Sequence, residues 1–197
     1  MKRTSVVLLF LSFVSIAVWA QTNQGNFVVG GSIGFGSTKV SDAESTSNNF
    51  SFSPQAGYFI ADGMEVGLLL GFSTSGGKIN GNDVTKYTNT SVGPYFKYYM
   101  FTSNENFAFT LRAATQFGFR KQDPPIGNDI KGSSFGFTVS PGFTYFFTDK
   151  IGLDFQLAGI GIHTTKPNKE VDSTTTTFTF GVDSFSPSLG FRYFFTR

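Results

Sequence analysis

The chain has 197 residues, of which 26 are phenylalanine and 23 glycine, with a formal net charge of +2 and a mean hydropathy of −0.02. It contains no cysteine, which excludes a disulfide scaffold and the usual structural zinc sites. The near-neutral charge leaves no field of the kind that attracts nucleic acid, and the length suits a single domain.

At the N-terminus, Lys2 and Arg3 precede an apolar run from Val6 to Val18 that closes on Val18-Trp19-Ala20. A basic start, a short apolar stretch and small residues at the end are the grammar of a secretory signal peptide, cut before Gln21. The run falls short of the roughly 18 residues expected of a spanning helix. Residues 1–20 are therefore expected to be removed, leaving 21–197 as one domain with thirteen basic and thirteen acidic residues and no tryptophan. A lipoprotein is excluded, because there is no cysteine to acylate.

From there the side-chain period is two, the period of a β-strand. The first strand is expected over Asn26–Phe35, with Phe27, Val29, Ile33 and Phe35 on one face and Val28, Gly30, Ser32 and Gly34 on the other. The second covers Phe50–Ile60 and the third Met64–Phe72, where Met64, Val66, Leu68, Leu70 and Phe72 make one apolar face. Asn89–Phe101 and Phe107–Phe119 follow. The sixth, Phe135–Phe147, alternates most clearly, with apolar odd positions, small polar even ones and Phe146 as the exception. Ile151–Ile162 is the seventh, and the eighth runs from Phe178 to Phe195 with its phase breaking near Asp183-Ser184.

Pro54, Pro94, Pro141 and Pro187 lie 40, 47 and 46 residues apart, each followed by an aromatic-rich strand end. Four copies of one unit imply four hairpins and eight strands. Each proline shares the apolar phase, and lacking an N–H it belongs at an irregularity of the ladder. The connections alternate in length. Ala61-Asp62-Gly63, Thr102–Asn106 and Thr148-Asp149-Lys150 are tight turns, whereas Gly36–Asn49, Ser73–Thr88, Arg120–Ser134 and His163–Thr177 are long and polar. Strands of this length suit a bilayer, which a tilted strand crosses with about 9–11 residues. Lipid-facing phenylalanine with small polar residues inside explains the neutral hydropathy, and short periplasmic turns opposite long outer loops complete the pattern. The fold class is all-β: an eight-stranded antiparallel up-and-down transmembrane barrel. Tyr58, Tyr98, Tyr145 and Tyr193 then fall at the periplasmic interface, where an aromatic girdle belongs. A soluble lipocalin-type barrel would need a charged exterior, and the polar phase is too poor in charge to supply one.

The inward phase collects the charges Glu65, Lys97, Arg112, Asp154 and Arg192, with Gln55, Gln116, Gln156, Tyr95 and Tyr99. Inside a barrel just wide enough for its own side chains, these predict a buried ion-pair network, because an unpaired charge there is costly. Catalytic signals are absent from the sequence. The one histidine, His163, is expected to face outward at the outer membrane–water boundary, and no G-x-S-x-G or H-E-x-x-H motif occurs. Gly30-Gly31-Ser32-Ile33-Gly34 lacks the Lys-Ser/Thr of a phosphate loop, and Asn80-Gly81-Asn82-Asp83 lacks the ligand spacing of a calcium loop. No catalytic, cofactor or metal residue is assigned, and the loop carboxylates, such as Asp42 and Glu44, read as solvated.

Over residues about 25–195 the pattern resembles the small eight-stranded outer-membrane barrels of the OmpA and OmpX kind, the porin-like outer membrane protein β-barrel domains. The end of the chain, Leu189-Gly190-Phe191-Arg192-Tyr193-Phe194-Phe195, resembles their C-terminal assembly signal, with Phe191, Tyr193 and Phe195 as its aromatic positions; Thr196-Arg197 follow, where the familiar signal ends on the last aromatic. The resemblance implies a monomer in the outer membrane of a Gram-negative bacterium. Its partners would be outer-membrane lipid and lipopolysaccharide, periplasmic chaperones and the assembly machinery, with surface partners reached through the loops. It implies a structural or surface-interaction role, with a small porin-like channel as the alternative and an envelope lipid-modifying enzyme as a second.

Overall fold

The structure, a computed structural model, describes residues 21–40, 44–157, 159–180 and 188–196. Residues 1–20, where a signal peptide is expected, Asp42, the break at Asp183-Ser184 and Pro187 lie outside them. Among the described residues the strand segments are β1 (Phe27–Val40), β2 (Ser45–Ala61), β3 (Met64–Ile79), β4 (Asn82–Asp83), β5 (Lys86–Phe101), β6 (Phe107–Asp123), β7 (Ile130–Phe146), β8 (Ile151–Gln156), β9 (Ile160–Lys166), β10 (Thr175–Thr179) and β11 (Ser188–Phe195). They build the eight walls of a closed antiparallel barrel. The two-residue β4 is a step on β3, β8 and β9 are the lower and upper halves of the seventh wall, and β11 and β10 are those of the eighth.

Neighbouring walls follow one another round the sheet, and the ring closes where Phe27–Gly31 of β1 pair with Phe195–Phe191 of β11. In hydrocarbon every backbone N–H and C=O must be satisfied within the protein, and closure is how a sheet achieves it. The outward phase is apolar and exposed, as at Phe27, Val29, Leu68, Leu70, Phe117, Phe135 and Phe191. Tyr58, Tyr98 and Tyr145 stand partly exposed in that phase at the turn end, and the Tyr58 ring packs 4.8 Å from that of Phe27.

The strands run taller than the alternation predicts. β6 continues to Asp123 and β7 starts at Ile130, so the long loop expected over Arg120–Ser134 shrinks to residues 124–129. Beyond the membrane both faces of a strand meet water, so polar and Thr-rich sequence can keep pairing after the apolar alternation has ended.

Three of the four repeated prolines sit where the ladder is interrupted. The β2–β3 pairing breaks off at Phe52↔Phe72 and resumes in the same register at Gln55↔Leu69 across Pro54, and the β5–β6 pairing does so between Val92↔Phe117 and Tyr95↔Ala114 across Pro94. At Pro141 the interruption is a bulge. Between Gly142↔Gln156 and Val139↔Ile160, β7 contributes residues 140–141 while the facing wall contributes 157–159. The extra residue inverts the phase of the seventh wall, since side chains alternate with period two. Asp154 and Gln156 face inward on β8, but on β9 Gly161 and His163 pair with the inward-facing Thr138 and Gly136. His163 is therefore corrected from outward to inward, while Ile160 and Ile162 take the lipid side, each 46% exposed. A Cβ on Gly136 would collide with the His163 ring, so glycine makes the room that the imidazole occupies.

Because the protein has no cysteine, thiol labelling reads this inversion directly. His163→Cys should react with a water-soluble maleimide in folded protein, whereas Ile162→Cys should react only with a membrane-partitioning reagent. The reverse pattern would restore an uninterrupted alternation.

Candidate functional site: the charged barrel interior

Four inward side chains on four walls meet near the turn end of the barrel. Glu65 stands on β3, Lys97 on β5, Asp154 on β8 and Arg192 on β11. All are buried. Glu65 and Lys97 are register partners, yet each reaches across the lumen to another wall for its counter-charge. Lys97 Nζ donates to both oxygens of Asp154 at 2.5 Å. Arg192 bridges the two acids, with Nη2 on Glu65 and Nη1 3.4 Å from Asp154. Both carboxylates receive further donors: the Tyr95 and Tyr99 hydroxyls to Glu65, the latter at 2.7 Å, and the Thr144 hydroxyl to Asp154. Each acid is thus held by three side chains, which is what a buried charge needs to offset desolvation. Gly57 leaves the space for this, since a Cβ there would collide with the Glu65 carboxylate and the Tyr95 hydroxyl.

Below the charges lies a buried apolar layer of Val28, Phe59, Tyr99, Ala108, Phe146 and Phe194. The Phe194 ring stands 5.3 Å from that of Phe146 and 6.2 Å from that of Phe59. Lys97 Nζ lies 4.9 Å above the Tyr99 ring, so that one tyrosine belongs to both layers. The segment before β1 then turns beneath the barrel. Gln21, Thr22 and Asn26 are buried there, the Thr22 carbonyl accepts from Gly63 N–H at 2.9 Å, and the Gln21 amide donates to the Thr148 carbonyl at 3.2 Å. Sequence reasoning missed this floor. Its trace was the set of aromatics in the inward phase at the turn ends, of which only Phe146 stood out as an exception.

Arg112 does not join the other four. It is the register partner of Lys97 on β6, but its guanidinium rises away from the floor and makes no ion pair among the described residues. It lines a cavity of about 210 Å³ with Gln55, Gln116, Gln156, Ser53 and the upper side of Asp154. Above that, a second cavity of about 300 Å³ is lined by Gln116, Arg120, Ser134 and His163. Arg120 lies over the Tyr87 ring, with its Cζ 4.5 Å from the centroid. Of the assembly-signal residues, Phe191 and Phe195 face outward and exposed, while Tyr193 is half-buried and paired with Val29 and Ile151. Among the described residues no group of three or more His, Cys, Asp or Glu is placed to hold a metal ion.

A closed antiparallel sheet with an apolar exterior, aromatic residues at its turn end and its charges turned inward is a transmembrane β-barrel. The chain belongs to the outer membrane protein beta-barrel domain family, which it matches over residues 6–185. No curated protein matches it. Among solved structures it is similar to the N-terminal β-barrel domain of Pseudomonas aeruginosa OprF, with a TM-score of 0.50 and 13% identity over 87% of this chain and 98% of that one. It is also similar to Neisserial surface protein A (NspA), with a TM-score of 0.47 and 21% identity over 86% and 97% of the two chains. The Yersinia pestis outer membrane protein Ail gives a TM-score of 0.37 and 16% identity over 88% and 100%. At 13% identity the likeness to the OprF domain is one of fold alone.

Removing one partner of a buried ion pair typically costs about 3–5 kcal/mol, because the other charge is left uncompensated. Asp154→Asn should therefore lower the unfolding free energy in urea by about that much, and adding Lys97→Met should return about half of it. Strictly additive losses in the double variant would show that the two side chains are not coupled.

Proposed function

We propose that the protein is a non-enzymatic outer-membrane barrel that acts through its extracellular loops, with a lumen closed at the periplasmic end. The observation that carries this reading is the floor: two acids held by Lys97, Arg192, Tyr95, Tyr99 and Thr144, then an aromatic layer, then the segment of Gln21 and Thr22 tucked beneath. A solute crossing the barrel would have to part all three. The opposite end carries features suited to contact. Ile126 and Val171 are exposed at loop tips, 92% and 53%. The second of these loops is tied to the start of β7 by a 2.8 Å bond from Lys169 N–H to the Lys131 carbonyl, beside a recess lined by Asn128, Asp129, Lys131 and Glu170. At the base of the same loops the Lys121 ammonium lies 2.8 Å from Asp129, and that hydrogen bond holds the carboxyl below its ordinary range. The cavity of His163 is lined by hydroxyls, amides and Arg120 with no carboxylate, which argues against a general-base role.

The membrane partners follow from the outward phase. Lys39, Lys78, Lys86, Lys121, Lys131 and Lys166 all fall in it near the extracellular ends of their strands, above the aromatic band. Cations at that height suit the phosphates of outer-leaflet lipopolysaccharide. Phe191, Tyr193 and Phe195 serve as the recognition positions for the assembly machinery, after delivery by periplasmic chaperones and removal of residues 1–20. The barrel works as a monomer.

Refolded mature protein, its folding checked by a heat-dependent gel shift, should give no steady single-channel steps in a planar bilayer. Discrete steps that change on Arg112→Glu would replace this reading with a narrow pore. Shortening residues 124–129 and 167–174 to tight turns should leave the gel shift intact, because these segments lie outside the walls that close the barrel.

A further inference from the structure

The lumen is not electrically balanced. Among the described residues the inward phase carries two acids, Glu65 and Asp154, against four bases, Lys97, Arg112, Arg120 and Arg192. The acids are matched by Lys97 and Arg192, which leaves Arg112 and Arg120 one above the other on β6 without a carboxylate partner. The Nε atoms of both arginines are buried with no hydrogen-bond partner, as is that of Arg192, but Arg192 has its two acids and these have none among the described residues. A guanidinium in a narrow, partly desolvated lumen is costly without a counter-charge. The Asp154 carboxylate touches the same cavity, but its oxygens are already taken by Lys97, Thr144 and Arg192.

We propose that the cavity above the ion-pair floor is a binding site for a small free oxyanion, such as sulfate, inorganic phosphate or a short carboxylate, that enters from the extracellular mouth. Arg112 is the principal ligand, because its planar fork of donors matches two oxygens of such an anion at once. Gln55 and Gln116 supply amide donors round the same space, and the hydroxyls of Ser32 and Ser53 supply more, whereas the Gln156 amide already donates to the Ser140 and Pro141 carbonyls. Arg120 and His163 line the cavity above, which shares Gln116 with the lower one, so the anion meets basic side chains before it reaches Arg112. Size sets the ligand class. About 210 Å³ lies below the roughly 300–1,000 Å³ of sites for drug-sized molecules, so the space suits a few heavy atoms and water rather than a nucleotide or a sugar. The floor beneath makes this an end-binding pocket rather than a conduction path.

The test is equilibrium dialysis of radiolabelled sulfate against refolded mature protein in non-ionic detergent without lipid, at fixed chloride concentration. Saturable uptake of one equivalent is expected. Arg112→Gln should weaken it at least tenfold and Arg120→Gln several-fold. Gln116→Glu places a carboxylate beside Arg112, so it should abolish uptake while raising the temperature of the gel shift, and it keeps the test open if Arg112→Gln does not fold. The absence of saturable uptake by the wild-type protein would overturn the proposal. So would uptake unchanged in both the Arg112→Gln and Gln116→Glu proteins. Asp183 lies outside the described residues, and uptake that appears only in Asp183→Asn protein would mean that the chain supplies its own counter-charge, which also overturns it.

Discussion

The pairing of Phe27–Gly31 with Phe195–Phe191 is the constraint on which the rest of this structure depends. A sheet in hydrocarbon cannot leave an edge unpaired, because each orphaned N–H or C=O costs several kcal/mol. The first and last walls must therefore meet, and the strand count then sets the width of the lumen. At eight walls the lumen is narrow enough that side chains from opposite sides touch. Inward residues accordingly find their partners across the barrel, not along the ladder. Glu65 and Arg192 are 127 residues apart in sequence and in contact only because the sheet has closed.

The arrangement of the lumen follows from what each layer must satisfy. Buried charges need counter-charges to offset desolvation, and Arg192, with donors directed to two acids, makes one compact unit of four ions. Tyr99 joins this unit to the aromatic layer, since its hydroxyl reaches Glu65 while its ring packs with Phe59 and Phe146. The floor is thus polar above, apolar in the middle and hydrogen-bonded to the N-terminal segment below. Above it the inward residues become small, amide-bearing and hydroxylated, and the lumen opens into cavities. The asymmetry between a turn end packed with buried side chains and a loop end with cavities is built from side chains on walls that are otherwise alike.

Much of this was legible in the residues, and the exceptions have identifiable causes. Strand existence and facing were readable wherever Phe and Leu alternate with Gly, Ser and Thr, as over Met64–Phe72, because lipid imposes a strict apolar phase on one side. Strand length was not, since the hairpins continue above the membrane, where no solvent contrast marks the two faces. The prolines at 54, 94 and 141 pointed correctly to ladder irregularities, for a proline has no N–H to donate. Whether such an irregularity adds a residue depends on the facing strand, and this is why the bulge beside Pro141 turned His163 from the lipid to the lumen.

The sequence by itself determined the class of the protein: a period-two alternation in eight walls, with tight turns at one end and long polar connections at the other. It also named Glu65, Lys97, Arg112, Asp154 and Arg192 as inward charges, because charge is expelled from the lipid-facing phase. The tertiary structure decided who pairs with whom. Partners across a lumen are set by barrel closure and shear, which bring together residues with no sequence relation, so the bridging by Arg192, the isolation of Arg112 and the aromatic floor were not written in any local pattern.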